Sequence, residues 1–472
     1  MQVEALTYLS HLIPLTSGEI YLVGGSIRDI LLGKQDIKDI DILMPTGSDS
    51  VARQFANAIE GSFFFLDEDR KNSRVVKQAA GENVQFDFTN FEGQDLNADL
   101  GRRDFTINAM AIDLRVFIIN KSLDGLIDLF HGNEDIKNEL IRVTTPAVLD
   151  EDPLRLLRAV RFAATLGFSI EEETAAHIRT RAKLITDPSP ERIRDELFLI
   201  LAERNADKHL QLLDTLGLLS RILPELVPLR GFAPGMYHAH DVLTHVIKTA
   251  GYVDSVLDDL QKLSPQHAVA LLVHLEENIE HLIPRKAALR FSCLLHDIAK
   301  PDTFTNTDGR VRFHGHDNLG SDKASLVCRR LRLSRDTERL VTGVIKQHMR
   351  LFNLSVPGGP SRNALYRYCR DLGDALPEGL VLAQADARAT YEIMMEGKFV
   401  DTEQSMAMVL DYYYTKFLRA AAVRFVTGDD LIRQGLTPGP QFREILEEIK
   451  ERQAMGTLTT RAEALQYLES LI

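Results

Sequence analysis

At 472 residues the chain is too long for one hydrophobic core, and about three or four domains are expected. Its 44% hydrophobic and 26% charged content excludes disorder as the default. A net charge of −13 excludes a surface coated in phosphate-binding charge, although a local basic face would still suffice for RNA.

No apolar run is long and unbroken enough to cross a bilayer, so no membrane partner is expected. The opening MQVEALTYLSHLIPL lacks the basic segment and small-residue cleavage site of a secretory signal. Cys293, Cys328 and Cys369 are far apart and read as reduced core thiols, which predicts a cytoplasmic protein. Oligomeric state is not readable.

Strand-like runs come first: EIYLVGG, IDILMP, GSFFFLD, NVQFDFTNF and INAMAIDL. After about residue 140 apolar residues recur at helical spacing, as in LRLLRAVRFAATLGF and RDELFLILAE. The expected class is α+β, with a mixed-sheet head followed by an all-helical remainder. Turn-rich breaks fall at 186–192, 229–236, 355–362 and 436–442. Arg155, Arg158, Arg161, Arg179, Arg181, Lys183, Arg192 and Arg194 crowd into one stretch and could supply a basic face.

The head carries the densest chemistry. A strand ends in Gly24-Gly25, and a helix is predicted from near Ser26. Glycines there let backbone N–H groups approach a phosphate, and Arg28 can reach the same anion. Asp39 and Asp41 lie two apart on a predicted strand, so both side chains leave one face. Carboxylates that close repel each other and call for a cation. Magnesium fits, since it takes carboxylates together with substrate phosphate oxygens.

Gly24-Gly25-Ser-Ile-Arg28-Asp followed by Asp39-Ile-Asp41 resembles the head signature of class II tRNA nucleotidyltransferases and bacterial poly(A) polymerases. Asp99-Leu-Gly-Arg102-Arg103-Asp104-Phe-Thr-Ile-Asn108 resembles the same family's element for ribose and triphosphate recognition. The resemblance implies a polymerase-β-like head, magnesium at the catalytic pair Asp39 and Asp41, and nucleotide contacts from Gly24, Gly25, Arg28, Arg102, Arg103, Asp104 and Asn108. Asp87, in VQFDF, is a candidate third metal carboxylate, and a strand-face aspartate without metal is the alternative.

In Glu151-Asp152-Pro153-Leu-Arg155-Leu-Leu-Arg158-Ala-Val-Arg161 a helix is expected with Pro153 in its first turn. Asp152 and Arg155 are then neighbours. The pattern resembles the family's base-reading element. A carboxylate accepts from the amino group of cytosine or adenine while a guanidinium donates to the ring nitrogen, and guanine and uracil present the reverse polarity. Arg158 and Arg161 would hold the triphosphate. Ser189 to Glu196 also resembles a neck helix, which an ordinary capped helix explains nearly as well.

The helical half holds His245, His296-Asp297, His316, His348 and Asp386, an order that looks like an HD phosphohydrolase domain. Imidazole with carboxylate suits a divalent transition metal. His240 and His314 are competing partners for His245 and His316. The expected division is a head at 1–140, a neck at 141–228, an HD domain at 229–400 and a tail at 401–472.

The leading expectation is transfer of C and/or A from CTP or ATP to a tRNA 3′ end. Poly(A) synthesis is the first alternative, disfavoured because 61–80 lacks a basic glycine-containing signature. A phosphohydrolase with a vestigial head is the second. CC-adding and A-adding enzymes differ in a loop between the two head motifs, and the roughly sixty residues there leave room for one.

Overall fold

The computed structural model describes residues 4–79, 81–233, 240–356, 358–391 and 402–472. Two compact units emerge. The first is Met1–Pro188 with Leu216–Leu218, and the second is Ser189–Thr215 with Leu219–Ile472. The division at 188/189 falls inside the segment expected as the neck. The expected boundary at 400/401 and parts of the breaks at 229–236 and 355–362 lie outside the described residues.

The first unit is built on six strands: β1 (Tyr21–Val23), β2 (Asp39–Met44), β3 (Ser62–Asp67), β4 (Asn72–Ala79), β5 (Glu82–Asn90) and β6 (Ala111–Asp113). Their order is β3-β4-β5-β2-β1-β6. Only β2 and β5 run parallel within it. Helix α1 (Gly25–Leu31) follows β1, and α2 (Ser48–Ile59) follows β2.

Alternation decides which face does chemistry. Ile40 and Ile42 of β2 and Phe86 and Phe88 of β5 are buried. Phe55 of α2 packs edge-on to Phe86 at 5.0 Å and tilted to Phe88 at 5.6 Å. With one face committed to that core, the residues between them, Asp39, Asp41 and Asp87, emerge on the other. There α3 (Leu96–Gly101) joins Leu96 and Leu100 to Val23, Leu43 and Ala111 in a smaller core.

Strand β4 was not among the expected strands, because polar Arg74, Lys77 and Gln78 interrupt its apolar residues. Among the described residues the stretch between the two head motifs holds no long loop. It is taken up by α2, β3, β4 and β5, and β3 and β4 join through only Glu68 to Lys71.

The neck helix begins later than expected. Helix α4 (Val148–Glu151) stops at Asp152, whose backbone is extended at φ −137°, and α5 (Arg155–Leu166) starts three residues on. Pro153 lies in the turn between them because its ring cannot continue α4. Gly167, at φ +73°, ends α5.

In the second unit, α6 (Val242–Leu263), α7 (Arg285–Leu295), α8 (His316–Arg330), α9 (Arg335–Gln347) and α10 (Leu376–Tyr391) pack together. α11 (Pro440–Ala454) and α12 (Arg461–Leu471) enclose Leu431, Ile445, Ile449, Ala464 and Leu468. Beyond residue 140 the only strands among the described residues are short pairs such as Thr305–Thr307 with Arg310–Arg312. No described helix is long and apolar enough to cross a membrane.

Candidate active site and metal centre

Gly24 caps α1 with φ +68°, a left-handed value that favours glycine. A β-carbon there would lie 2.7 Å from Asp41 Oδ2 and 2.9 Å from Arg103 Nη1. The backbone can therefore close on the carboxylate, and Gly25 N–H donates to Asp41 Oδ2 at 3.1 Å. The Ser26 hydroxyl donates to the Asp39 carbonyl at 3.2 Å and accepts from Asp41 N–H at 2.8 Å. The glycine turn and the Asp39–Asp41 strand are thus tied together.

Asp39 is exposed at the strand end, whereas Asp41 is largely covered. Partial desolvation by its neighbours, and then the Asp87 charge, raise the Asp39 carboxyl. Burial raises Asp41 too, with Arg103 opposing it in part. Two carboxylates in that condition fit a hard cation that takes further oxygens from substrate and water. Asp87 is placed differently from a ready third ligand. Arg74 Nε and Nη2 grip its two oxygens at 2.7 and 2.8 Å.

The Arg102–Asp104 element separates into three environments. Arg102 is exposed, with Nη2 3.5 Å from Glu151. Arg103 pairs with Asp99 at 3.2 Å. Asp104 is buried and fully engaged: Oδ2 accepts from Arg158 at 2.6 and 3.0 Å, and Oδ1 accepts from Asn108 Nδ2 and Phe105 N–H. Burial alone would raise this carboxyl, but Arg158 and Asn108 outweigh it and hold it below the ordinary range. In this arrangement Asp104 fixes Arg158 and Asn108 in place.

Asn108 Oδ1 also accepts from Arg28 Nη1 at 2.6 Å, which links α1 to α5 through Asn108, Asp104 and Arg158. Arg28, Arg158 and Arg161 surround the buried ring of Phe162 at 5.3, 5.5 and 4.0 Å. Sequence reading did not single out Phe162, although it directly follows Arg161. Arg155 Nη1 donates to the Val148 carbonyl at 3.1 Å, and Asp152 Oδ1 accepts from Leu154 N–H at 3.2 Å. Asp152 lies in the turn before α5, and Arg155 is its first residue. Elsewhere in the expected basic cluster, Arg179 pairs with Glu172, Arg181 with Asp150 and Arg194 with Glu280.

In the second unit the helices bring all six expected ligands together. His245, His296 and Asp386 offer atoms within 4.8 Å of one another, and so do Asp297, His316 and His348. Asp297 reaches both groups, 3.5 Å from His245 Nε2 and 3.6 Å from His316 Nε2. His240 and His314 belong to neither group among the described residues.

Three rings are fixed from behind. The Nδ1–H groups of His296, His316 and His348 donate to the carbonyls of Cys293, Phe313 and Ile345 at 2.7 to 2.8 Å. Each ring is thereby turned so that Nε2 points away from its carbonyl, and those of His316 and His348 face each other at 3.2 Å. Among the described residues Asp297 Oδ1 is buried without a hydrogen bond, while Oδ2 lies 3.2 Å from His296 Nε2. Converging groups of this kind fit a cation. Burial, then His296, drives His348 down to about 4, so it stays a neutral donor. Lys300 Nζ, 2.6 Å from Asp297 Oδ2, was missed in sequence, and its i+3 spacing from Asp297 was the available signal.

Residues 20–142 match the poly A polymerase head domain, 167–229 the "Probable RNA and SrmB- binding site of polymerase A", and 242–391 the HD domain. An A-adding tRNA nucleotidyltransferase of Deinococcus radiodurans is 32% identical over 95% of this chain and 94% of its own length. A CC-adding tRNA nucleotidyltransferase of Geobacter sulfurreducens is 29% identical over 95% of this chain and 91% of its own. Among solved structures, a CCA-adding enzyme with CTP has a TM-score of 0.63 at 21% identity and full coverage of both chains. The Thermotoga maritima CCA-adding enzyme complexed with tRNA has a TM-score of 0.59 at 21% identity, covering 99% of this chain and 95% of that one. The fold and a full-length relative above 30% identity agree: the chain belongs to the tRNA nucleotidyltransferase family whose members carry a poly(A)-polymerase-type head.

Proposed function

We propose that the chain adds C and/or A, from CTP or ATP, to the 3′ end of tRNA. The observation that carries this reading is the closure of Gly24-Gly25 on Asp41, with Asp39 beside it on the same face. The 3′-hydroxyl oxygen attacks the α-phosphate, a new P–O bond forms, and pyrophosphate leaves. Magnesium held by Asp39 and Asp41 would offset the charge that gathers on the phosphoryl oxygens. Gly25 N–H and Ser26 fix where those carboxylates point.

Arg28, Arg158 and Arg161 form a guanidinium cluster suited to the triphosphate, and Asp104 with Asn108 keeps two of the three in place. Asp152, in the turn before α5, and Arg155, its first residue, are assigned to the base edge. Their donor–acceptor polarity matches cytosine and adenine and opposes guanine and uracil. The division of labour is a catalytic head (1–140), a base-reading neck (141–228), an HD domain (229–400) and a helical tail (401–472). Three buried thiols suit a cytoplasmic setting.

The HD centre is assigned a divalent transition metal and, through metal-activated water, a phosphohydrolase activity. The convergence of buried imidazoles and carboxylates favours that assignment. Hydrolysis of phosphate esters should appear with nickel, cobalt, manganese or magnesium, and a blank result with all four overturns it.

Three tRNA transcripts, ending before CCA, after C and after CC, test the transferase reading with labelled CTP or ATP supplied separately. Incorporation on any of them supports it, and the pattern tells CCA, CC and A addition from poly(A) synthesis. No incorporation on any overturns it.

A further inference from the structure

Arg74 belongs to no motif, yet it shares the sheet face that carries the head carboxylates. β2 and β5 pair Asp41 with Asp87, and β4 and β5 pair Arg74 with Asp87. Cross-strand partners project from one face, so Asp41, Asp87 and Arg74 form a row, with Asp39 two residues along from Asp41. Asp87 differs from the other two carboxylates in being gripped at both oxygens by one guanidinium. Arg74 and a metal ion therefore compete for the same carboxylate.

The grip is reversible by its setting. The Arg74 side chain is 35% exposed and that of Asp87 24%. Partly exposed ion pairs add little to stability, and a polyanion competes well for a planar guanidinium. An RNA 3′ end brings such a polyanion, since each backbone phosphate matches the same fork that now holds Asp87.

We propose that Arg74 withholds Asp87 from the head's metal site until RNA arrives, and that a backbone phosphate near the RNA 3′ end then takes the guanidinium and releases Asp87 as a third carboxylate. The RNA-free site thus presents two available carboxylates and the RNA-bound site three. Metal affinity and RNA affinity then strengthen each other, because such coupling is reciprocal. The inference rests on the reading of Asp39 and Asp41 as metal ligands.

The test is manganese binding to the full chain, followed by electron paramagnetic resonance. The head's share is what disappears in an Asp39→Ala, Asp41→Ala chain. Without RNA, Arg74→Met should bind head manganese about tenfold more tightly than the parent, the scale on which groups holding a ligand shift metal affinity. With a tRNA lacking its last nucleotides bound, the two should converge, and the KM for that tRNA should rise in Arg74→Met. Arg74→Met, Asp87→Asn should return the RNA-free affinity to the parent value, which separates release of Asp87 from general disturbance of the sheet. Equal RNA-free affinity of parent and Arg74→Met overturns the proposal, and so does a gain that persists undiminished with tRNA. If the Asp39→Ala, Asp41→Ala chain loses no manganese, the reading of the head as a metal site fails first and the proposal with it.

Discussion

The two candidate metal sites are built on opposite plans. The head offers Asp39, exposed, and Asp41 from one strand, with Asp87 gripped by Arg74. The helical unit buries His245, His296, Asp297, His316, His348 and Asp386 together and fixes three of the rings through backbone carbonyls. A site with few protein ligands leaves positions for substrate oxygens, so its metal comes and goes with the reaction. A site that surrounds the ion with protein holds it as part of the fold. The two candidate sites thus differ in how many of their ligands the protein supplies.

The largest expected break is Gly24→Ala. Its methyl would collide with Asp41 and Arg103 in a backbone conformation that favours glycine. Single-turnover incorporation should fall by at least about a hundredfold, as when one aligned charge-stabilising group is lost. Metal retained by the HD centre should not change. Near-parental incorporation would show that Asp41 needs no fixed position.

Base choice comes next. Asp152→Ala or Arg155→Ala should weaken discrimination of CTP and ATP against UTP and GTP by about 1–3 kcal/mol, roughly tenfold to a hundredfold. Competition between labelled nucleotides checks this, and unchanged discrimination would move base reading elsewhere.

Chelation should separate the sites thermodynamically. Removing metal should lower the HD unit's calorimetric unfolding midpoint, with up to about 4 kcal/mol lost if free metal had stood at about a thousand times its Kd. His348→Ala should reproduce the loss, while the head transition stays in place. Equal shifts in both transitions would erase the contrast.

The smallest effect is in pH. Asp39 and Asp41 have raised carboxyls, so the protonated forms favour the metal-free fold at low pH. That contribution is lost as pH rises through the raised values, and magnesium, which needs the ionised forms, restores it. Head magnesium affinity should begin to fall while pH is still above the ordinary carboxyl value of about 4. Affinity that is flat down to that pH would contradict the burial of Asp41.

Much of this was legible in the chain because period-two and period-3.6 patterning carries direction. Ile40 and Ile42 had to face a core, which placed Asp39 and Asp41 opposite. The HD ligands were legible as residue types, and packing groups the chosen His245 and His316 rather than His240 and His314. Long-range pairings were hidden. Nothing local in Ser73-Arg74-Val75 announces a partner at Asp87, and nothing in Asp104 announces Arg158, 54 residues away. Pro153 disfavours helix at Asp152, where α4 ends, but does not by itself set the start of α5 at Arg155.

The most direct measurement compares two chains, Asp39→Ala, Asp41→Ala and His296→Ala, Asp297→Ala, for nucleotide incorporation on truncated tRNA and for phosphate-ester hydrolysis. The first should lose incorporation by at least about a thousandfold and keep hydrolysis, and the second should do the reverse. Incorporation that survives in the first chain would contradict the assignment of tRNA 3′-end synthesis to that carboxylate pair.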